Sequence, residues 1–460
     1  MNLLVAADIS VEAGRKRLVD PVSLTLPMGR AVTILGESGS GKSLLAQAML
    51  GTLPYGLAAS GTLVVAGETF DAARPRAMRS LWGRHVAVLP QEPWLALDPL
   101  MRAQRQVAEV HGLVAMTSQP EQRAAEDLAA LGLQGASQKY PWQLSGGMAQ
   151  RLAFAAARAG GATITVADEP TKGLDAGRRD DVLALLRRGL DAGGLLTITH
   201  DLELAKGLGG DILVMQGGSV VERGLAEQVL TAPAHPYTRA LIAANPANWP
   251  ERAPADEGPV LIEAKGLTVF RAGRQIFKPV DFTIRRGHVL GVFGPSGCGK
   301  SSLGNAILGL LPYQGHLWRD PGVPKIRFQK LWQEPPAAFP ARLQLGQGLD
   351  ELITLHHIDR SRIKPLMDRL GLGPELLARL PSEVSGGELQ RLALLRALLL
   401  GPAFLFADEP TSRLDPVTQS ETIELLTSIA RELQMAIVIV SHDRTLLEKT
   451  SDKLLLLDSA

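Results

Sequence analysis

The feature that most constrains the fold is an internal duplication. The segment GESGSGKS at 36–43 returns as GPSGCGKS at 294–301, which is 258 residues later. Three further segments, LSGGMAQR, VADEPTKGLD and ITHD, return as VSGGELQR, FADEPTSRLD and VSHD at offsets of 240 to 242 residues. Unlike motifs that recur in one order at nearly one spacing indicate a duplicated structural unit. The chain is therefore expected to fold as two similar domains.

The spacing of the repeats also locates the domain boundaries. The offset falls from 258 to 242 residues between the glycine-rich segments and the glutamines Gln91 and Gln333, so the second copy lacks 16 residues there. A shortened sheet region is expected early in that copy. Proline, small and charged residues interrupt the hydrophobic periodicity at 244–259, which is typical of a linker. We predict domains at 1–243 and 260–460, joined by this linker.

Apolar runs precede the repeated loops and indicate the fold class. AVTIL, ATITVA and LLTIT in the first copy correspond to VLGVF, AFLFA and AIVIV in the second. Near-continuous apolar runs suit parallel strands that helices cover on both faces. Helical patterning dominates between Gln91 and Ser145, and again between Gln333 and Ser385. Each copy is thus predicted to be an α/β domain with a largely parallel sheet and a separate helical lobe.

Composition excludes several classes of protein. With 48 Lys and Arg against 47 Asp and Glu, the formal charge is +1, so no overall basic field favours nucleic acid as a partner. The single cysteine, Cys298, rules out an internal disulfide and is compatible with a reducing cytoplasm. The N-terminal segment does not resemble a signal peptide, and no uncharged apolar run reaches the roughly 18 residues of a membrane-spanning helix. Any membrane role is therefore expected to be peripheral.

Both glycine-rich segments match G-x-x-x-x-G-K-S directly after an apolar strand, the context in which this pattern indicates a phosphate-binding loop. Glycines let backbone N–H groups surround phosphates, the lysine reaches the outer phosphates, and the serine hydroxyl is available to Mg²⁺. The predicted nucleotide-binding residues are Gly36, Ser38, Gly39, Gly41, Lys42 and Ser43 in the first copy, and Gly294, Ser296, Gly297, Gly299, Lys300 and Ser301 in the second.

Paired carboxylates end the next apolar strand in each copy, at Asp168-Glu169 and Asp408-Glu409. The aspartates are predicted to hold Mg²⁺, and the glutamates to polarise the attacking water. Taken alone, such a pair could equally cap a helix or lie in a solvated turn, and a lone histidine is more often structural. The ordered set favours catalysis, so the predicted catalytic residues are Glu169, His200, Glu409 and His442.

A Ser-Gly-Gly segment in each copy is expected to open a helix and to offer backbone amides and a hydroxyl to an anion. By itself this pattern predicts no more than a helix N-cap. The residues concerned are Ser145, Gly146 and Gly147 in the first copy, and Ser385, Gly386 and Gly387 in the second.

Taken together, the motifs resemble those of ATP-binding-cassette (ABC) ATPases across essentially the whole chain. The resemblance implies two P-loop NTPase domains, each with a RecA-like α/β core, a small antiparallel β subdomain and a helical lobe. It implies ATP and Mg²⁺ as cofactors and ATP hydrolysis as the activity. It assigns Gln91 and Gln333 to the loops that contact the nucleotide and Mg²⁺ and link them to the helical lobe. Asp175 and Asp415 match the D-loop aspartates of the family.

In this family two cassettes pack head to tail, and each ATP lies between the Walker A loop of one cassette and the Ser-Gly-Gly signature of the other. The resemblance therefore implies that one chain completes two sites, so that a homo-oligomer is not required. The first site would combine Lys42, Ser43, Gln91, Asp168, Glu169 and His200 with Ser385 and Gly387. The second would combine Lys300, Ser301, Gln333, Asp408, Glu409 and His442 with Ser145 and Gly147. Because neither set lacks a motif residue, both sites are expected to hydrolyse ATP.

An aromatic residue before Walker A stacks on adenine in such cassettes, and here the two copies differ. Phe270 occupies this place in the second copy, whereas Glu12 occupies it in the first. The resemblance therefore implies adenine stacking by Phe270 at the second Walker A loop, and Glu12 departs from the family pattern at the first.

The first copy resembles more specifically the ATPases of peptide, nickel and opine importers. The residues that carry this likeness are GSGKSLLAQAMLGTLP, LPQEPWLALDPLM and the tail APAHPYTRALIAANP, with His235-Pro236-Tyr237-Thr238 at its centre. The resemblance implies a subunit bound peripherally to the cytoplasmic face of the inner membrane, with two transmembrane permease subunits as partners. An extracytoplasmic solute-binding protein would deliver a small peptide, nickel or a metal-opine complex. A soluble tandem ATPase acting on ribosomes, or an exporter ATPase, is the alternative.

Overall fold

The computed structural model describes residues 1–37, 39–90, 96–171, 176–191, 193–251, 258–295, 297–411 and 414–460. They form two compact units, Met1–Ile242 and Ala243–Ala460. Trp249, inside the predicted linker, packs against the hydrophobic core of the second unit. None of the helices in the described ranges combines the length and hydropathy that a bilayer crossing requires.

The elements of the first unit alternate between strands and helices after an initial hairpin. The strands are β1 (Asn2–Ala13), β2 (Lys16–Pro27), β3 (Ala31–Leu35), β4 (Leu57–Val65), β5 (Glu68–Asp71), β6 (Val86–Leu89), β7 (Ile164–Asp168), β8 (Gly194–Thr199), β9 (Asp211–Gln216) and β10 (Ser219–Leu225). The helices are α1 (Lys42–Leu50), α2 (Ala103–Leu113), α3 (Pro120–Ala130), α4 (Gly146–Arg158), α5 (Ala176–Leu190), α6 (Leu202–Leu208), α7 (Ala226–Thr231) and α8 (Pro236–Ala243).

The second unit repeats this order with mostly shorter strands and with fewer helices among the described residues. The strands are β11 (Val260–Thr268), β12 (Phe270–Arg271), β13 (Arg274–Gln275), β14 (Val280–Arg285), β15 (Val289–Phe293), β16 (Gln314–Arg319), β17 (Phe328–Leu331), β18 (Phe404–Asp408), β19 (Ala436–Val440) and β20 (Lys453–Leu456). The helices are α9 (Lys300–Ile307), α10 (Leu345–His356), α11 (Ile363–Arg369), α12 (Gly386–Leu399), α13 (Pro416–Glu432) and α14 (Arg444–Thr450).

The central sheets position the predicted site residues. In the first unit the strand order is β10-β9-β3-β8-β7-β6, and β10 alone runs antiparallel to its neighbour. In the second unit the order is β17-β18-β19-β15-β20, with all described pairs parallel. Strands β3, β8 and β19 are buried at every position, as the apolar runs predicted. Because parallel strands end at one edge of a sheet, the loops after them meet there.

A second, antiparallel sheet accompanies each core and shows where the second copy is shorter. The first unit forms the order β2-β1-β4-β5, and the second forms β14-β11-β16. Between β4 and β6 the first unit contains β5 and a 3-10 turn at Ala77–Leu81, whereas between β16 and β17 the second contains only a 3-10 turn at Lys325–Arg327 in the described chain. The shortened region predicted from the sequence is thus the outer end of this sheet.

The helices between the glutamine-containing loop and the Ser-Gly-Gly segment form the predicted lobe in each unit. Helices α2, α3 and α4 pack around a separate apolar cluster that includes Val107 and Leu128. Helices α10, α11 and α12 contribute Leu349, Met367 and Leu392 to a cluster that continues into the central sheet. The lobe of the second unit therefore shares its apolar core with the sheet.

Candidate nucleotide-binding sites

The first glycine-rich loop connects β3 to α1. Gly41 has a φ of 98°, a left-handed conformation that glycine adopts without a steric cost, and α1 begins at the next residue. Lys42 is buried, and its Nζ donates hydrogen bonds to the backbone oxygens of Gly36 and Glu37 at 2.7 and 2.6 Å. A helix N-terminus and a buried ammonium at one loop provide the environment that a phosphate chain requires.

The carboxylates predicted from the sequence lie beside this loop, because β7 is close to β3 in the sheet. The Ser43 hydroxyl donates to Asp168 Oδ1 at 3.3 Å. Glu169 Oε1 lies 4.0 Å from Lys42 Nζ, and Glu169 Oε2 lies 2.8 Å from His200 Nδ1. The structure therefore brings the predicted lysine, serine, acidic pair and histidine of the first copy together.

Both glutamates that the sequence predicts to be catalytic have an unusual backbone conformation. Glu169 has a φ of 47° and Glu409 a φ of 50°, which is uncommon for residues other than glycine. In each copy the backbone N–H of the glutamate donates to a neighbouring strand, to Ile198 O at 2.8 Å and to Val440 O at 3.1 Å. Residues held in sparsely populated conformations persist where the surrounding structure fixes them, and they cluster at functional sites.

The second glycine-rich loop connects β15 to α9 in the same way. Gly299 has a φ of 105°, and α9 begins at Lys300. Lys300 is buried, and its Nζ donates to the backbone oxygens of Gly294 and Pro295 at 2.8 and 3.1 Å. The two loops therefore hold their lysines alike.

The second acidic pair contacts a partly different set of residues. Gln333 Nε2 donates to Glu409 Oε2 at 3.0 Å, and His442 Nε2 lies 2.6 Å from Glu409 Oε1. Ser301 occupies the second position of α9, as Ser43 does in α1. The structure thus joins the glutamine, glutamate and histidine that the sequence predicted for this copy.

The donor set fits Mg²⁺ in the first copy. The Ser43 hydroxyl and the Asp168 carboxylate lie within 3.3 Å of each other, and oxygen ligands of these two kinds are those that Mg²⁺ prefers. In the second copy the corresponding Asp408 is buried and its Oδ2 lies 3.5 Å from the Nζ of Lys330. Lys330 is not among the residues predicted from the sequence, although a lysine in the strand before Gln333, where the first copy has Val88, was a visible signal.

The HPYT tail reaches the first glycine-rich loop, which the sequence analysis did not foresee. The backbone N–H of Glu37 donates to the hydroxyl of Tyr237 at 2.9 Å, and Tyr237 is buried. Glu222 fixes the start of the tail, because its carboxylate accepts hydrogen bonds from the backbone N–H groups of Ala234 and His235 at 2.7 and 3.0 Å. Desolvation raises the pKa of Glu222, but interaction with the Thr238 side chain and these backbone hydrogen bonds lower the pKa more.

The signature serines cap helices, as predicted. Ser145 precedes α4, and its Oγ accepts a hydrogen bond from the Met148 backbone at 3.4 Å. Ser385 precedes α12 in a capping box, in which its N–H and Oγ donate to Glu388 Oε2 at 2.8 and 2.7 Å. The side-chain hydrogen bond from Ser385, together with the backbone bond, lowers the pKa of Glu388. Gly146 and Gly147, and Gly386 and Gly387, form the first turns of the two helices.

The remaining predicted residues lie apart from these contacts. Phe270 pairs with Gln275 in a two-stranded ribbon and is 39% exposed, whereas Glu12 is bound to Arg17 at 3.1 Å. Gly39 and Gly297 occupy turns of the two glycine-rich loops with φ of 83° and 80°. The residues that lie outside the described chain are Ser38, Gln91, Asp175 and Ser296.

The fold and the sites define a protein with two P-loop nucleotide-binding units in tandem. The family model described as ABC transporter matches residues 19–172 and 277–412. The chain belongs to the ABC transporter family, so the resemblance inferred from its motifs is confirmed, together with the predicted fold class.

Named relatives match almost the whole chain. The peptidoglycan transport ATP-binding protein YejF of Agrobacterium fabrum is 33% identical over 499 residues, covering 99% of this chain and 91% of the relative. The glutathione import ATP-binding protein GsiA of Pectobacterium atrosepticum is 32% identical, covering 95% and 81%. Among solved structures, RNase-L Inhibitor aligns with a TM-score of 0.66 at 20% identity, covering 97% of this chain and 87% of that one. At this identity the structural likeness shows the fold alone.

Proposed function

We propose that the chain is the ATP-hydrolysing, energy-coupling subunit of a membrane importer. The observation that carries the proposal is the convergence of Glu169 on Lys42 and His200, with Glu409 joined to His442 and Gln333 in the second copy. A carboxylate held beside a phosphate-binding lysine is placed to orient and polarise a water molecule for attack on a terminal phosphate.

The residues divide the chemistry between them. Lys42 and Lys300 bind the phosphate chain, Glu169 and Glu409 accept the proton of the attacking water, and His200 and His442 contact the terminal phosphate. Ser43 and Asp168, with Ser301 and Asp408 in the second copy, would hold Mg²⁺, and Gln91 and Gln333 would complete these sites. Bound Mg²⁺ supplies positive charge that offsets the phosphate oxygens.

The Ser-Gly-Gly signatures belong to the same machinery in this proposal. The first backbone N–H groups of a helix point away from it and favour an anion. Ser145 and Ser385 are the N-cap residues of α4 and α12. In keeping with the family, each signature serves the nucleotide held by the other copy's Walker A loop. One chain then binds two ATP molecules without a homo-oligomer.

Small peptides are the cargo we favour. Two named relatives are a peptidoglycan transport protein and a glutathione import protein, and glutathione is itself a tripeptide. The subunit would act at the cytoplasmic face of the inner membrane, peripherally, with two transmembrane permease subunits and a solute-binding protein outside. Nickel or a metal-opine cargo has no comparable support among these names.

Purification from native membranes tests this proposal. The tagged chain, extracted gently from its own cells, should bring two polytopic permeases with it, and the solute-binding protein associated with them should bind peptides in a direct assay. Recovery of ribosomal proteins without a permease would overturn the transport proposal and favour the ribosomal alternative. A high-salt wash that removes both permeases from the tagged chain, while the chain keeps its ATPase activity, is the result expected for a peripheral subunit.

A further inference from the structure

A buried lysine lies next to the aspartate that we assign to Mg²⁺ in the second copy. Lys330 is in β17 and lies opposite Phe406 of β18 in the parallel register. Asp408 follows Phe406 by two residues and ends the same strand. Lys330 Nζ and Asp408 Oδ2 are 3.5 Å apart, and the two side chains are 8% and 6% exposed. Burying an ammonium costs free energy unless its charge is compensated, so the residues around Lys330 must provide that compensation.

The surroundings of Lys330 form a built cation site. Its Nζ donates a hydrogen bond to Asn305 Oδ1 at 3.1 Å. It also lies 4.5 Å from the ring centroid of Trp332 and 5.7 Å from that of Phe406, within the range of cation–π attraction. A carboxylate, an amide oxygen and two aromatic rings therefore hold one ammonium beside the second Walker A loop.

The first copy keeps the aspartate, as Asp168, but differs at the positions of the lysine and of the amide that accepts its hydrogen bond. Val88 takes the place of Lys330, since it lies opposite Val166 in the same register as Lys330 opposite Phe406. Gln47 takes the place of Asn305 at the offset of 258, and its buried Oε1 has no hydrogen-bond partner among the described residues.

The residues that pack next to Lys330 also differ between the two copies. A Cβ on Gly304 would lie only 2.1 Å from the Phe406 ring, so glycine is required there. The first copy has Ala46 and Val166 at these two positions. The Phe406 ring near the ammonium fits only because residue 304 is glycine, so these two residues depend on each other. Lys330 is therefore part of a packed cluster that is specific to the second copy and is not an isolated surface charge.

We propose that Lys330 acts as a resident cation at the second nucleotide site and makes nucleotide binding there less dependent on Mg²⁺ than at the first site. The inference rests on the proposed function. The ammonium offsets the charge of Asp408, which weakens the attraction of that carboxylate for a divalent ion. The same fixed positive charge favours the phosphate chain when Mg²⁺ is absent. Both effects lower the advantage that Mg²⁺ gives, by about tenfold for one partly screened charge.

Binding measurements on the full chain separate the two sites. Lys42→Ala disables the first Walker A loop and leaves the second to be measured, and Lys300→Ala does the reverse. For each variant, the dissociation constant of a fluorescent ATP analogue is measured with Mg²⁺ and with a chelator in its place. The ratio compared is the dissociation constant with the chelator divided by the dissociation constant with Mg²⁺. We expect this ratio to be about tenfold smaller for the second site.

Two substitutions assign the difference to Lys330. In the Lys42→Ala background, Lys330→Met keeps the length of the side chain and removes its charge, and it should raise the ratio to that of the first site. In the Lys300→Ala background, Val88→Lys introduces an ammonium at the position that corresponds to Lys330 and should lower the ratio. This reciprocal change keeps the test decisive if Lys330→Met does not fold.

The outcomes are distinguishable from a failure of the proposed function. Equal ratios at the two unmodified sites would overturn the inference, as would a ratio that Lys330→Met and Val88→Lys leave unchanged, while Mg²⁺-dependent binding itself persists. Absence of nucleotide binding in both single-site variants, with Mg²⁺ present, would instead overturn the proposed function.

Discussion

In the first copy the aspartate assigned to Mg²⁺ accepts a hydrogen bond from the Ser43 hydroxyl, whereas in the second copy the corresponding Asp408 faces the ammonium of Lys330. The motifs that surround the two aspartates are nearly identical in sequence. The difference arises from residues outside the motifs, in the neighbouring strand and in the helix after the glycine-rich loop. Two sites with the same catalytic residues can therefore differ in their response to a metal ion.

The glycine-rich loops differ in a related way. The first loop has Glu37, whose backbone N–H donates to Tyr237 in the tail. The second loop has Pro295 at the corresponding position, and proline has no N–H to satisfy. The tail thus serves a backbone group that exists only in the first copy.

Removing the catalytic carboxylates should have the largest effect. We expect Glu169→Gln and Glu409→Gln each to lower ATP turnover by at least about half, and the double variant to lower it by about a hundredfold or more, because a general base contributes about 10²- to 10⁴-fold. Steady-state phosphate release measures this effect. A single variant with unchanged turnover would show that its site does not hydrolyse ATP, and binding of the nucleotide analogue by the double variant serves as the control.

The packing of the second site provides the next largest effect. Gly304→Ala should destabilise the second unit by about 2 kcal/mol or more, because the new Cβ would lie 2.1 Å from the Phe406 ring. The free energy of unfolding in urea measures this cost. The matched change in the first copy, Ala46→Gly, should cost only about 1 kcal/mol, the usual penalty of glycine in a helix.

A compensating substitution sharpens this comparison. Adding Phe406→Val to Gly304→Ala recreates the pair found in the first copy, so the double variant should be more stable than the sum of the single effects predicts. Strictly additive losses would show that the ring and the glycine do not depend on each other, and that the packing contrast between the copies has another origin.

Loss of the tail tyrosine hydroxyl should have a smaller effect. Tyr237→Phe leaves the Glu37 N–H without this acceptor, and a hydrogen bond of this kind contributes about 1 kcal/mol. Nucleotide affinity measured in the Lys300→Ala background should fall by about fivefold, since about 1.4 kcal/mol corresponds to tenfold. The second site, measured in the Lys42→Ala background, is the control and should not change. Glu37→Pro removes the N–H that donates to Tyr237 and should restore much of the affinity lost in Tyr237→Phe.

The residues that the sequence could predict are those whose chemistry and spacing are local. The loop from Gly36 to Ser43, the acidic pairs and the two histidines follow buried strands, and adjacent parallel strands bring such residues together. The contacts of Glu169 with Lys42 and His200 follow from that topology alone.

The residues that the sequence did not reveal act through the packing of distant segments. Tyr237 lies 200 residues from Glu37 in the chain, so its hydrogen bond depends on how the tail folds back. Lys330 acquires its role from Asn305, Phe406 and Gly304, and of these only Phe406 lies in one of the repeated motif segments. A comparison of the two copies position by position would have marked Lys330 as unusual, but not the groups that hold it.

The smallest expected difference concerns the signature helices and their response to pH. Ser385 forms a capping box with Glu388, whereas the first copy has Met148 at that position. The hydrogen bonds from Ser385 lower the pKa of Glu388, so the ionised carboxylate stabilises the folded state. This stabilisation is present above the pKa that the group has in the unfolded chain, and it is lost as the pH falls through the lower pKa of the folded state.

Glu388→Met should therefore cost the second unit well under about 1 kcal/mol near neutral pH, because the carboxylate is partly exposed to solvent. The difference from the unmodified chain should disappear between about pH 5 and pH 3, the range in which glutamate protonates. Unfolding in urea at a series of pH values measures both quantities. Glu388→Gln retains a side chain that can complete a capping box, and it should remove the pH dependence while keeping part of the stability. A pH dependence that survives in Glu388→Met would assign it to another carboxylate and leave the two signature helices equivalent in this respect.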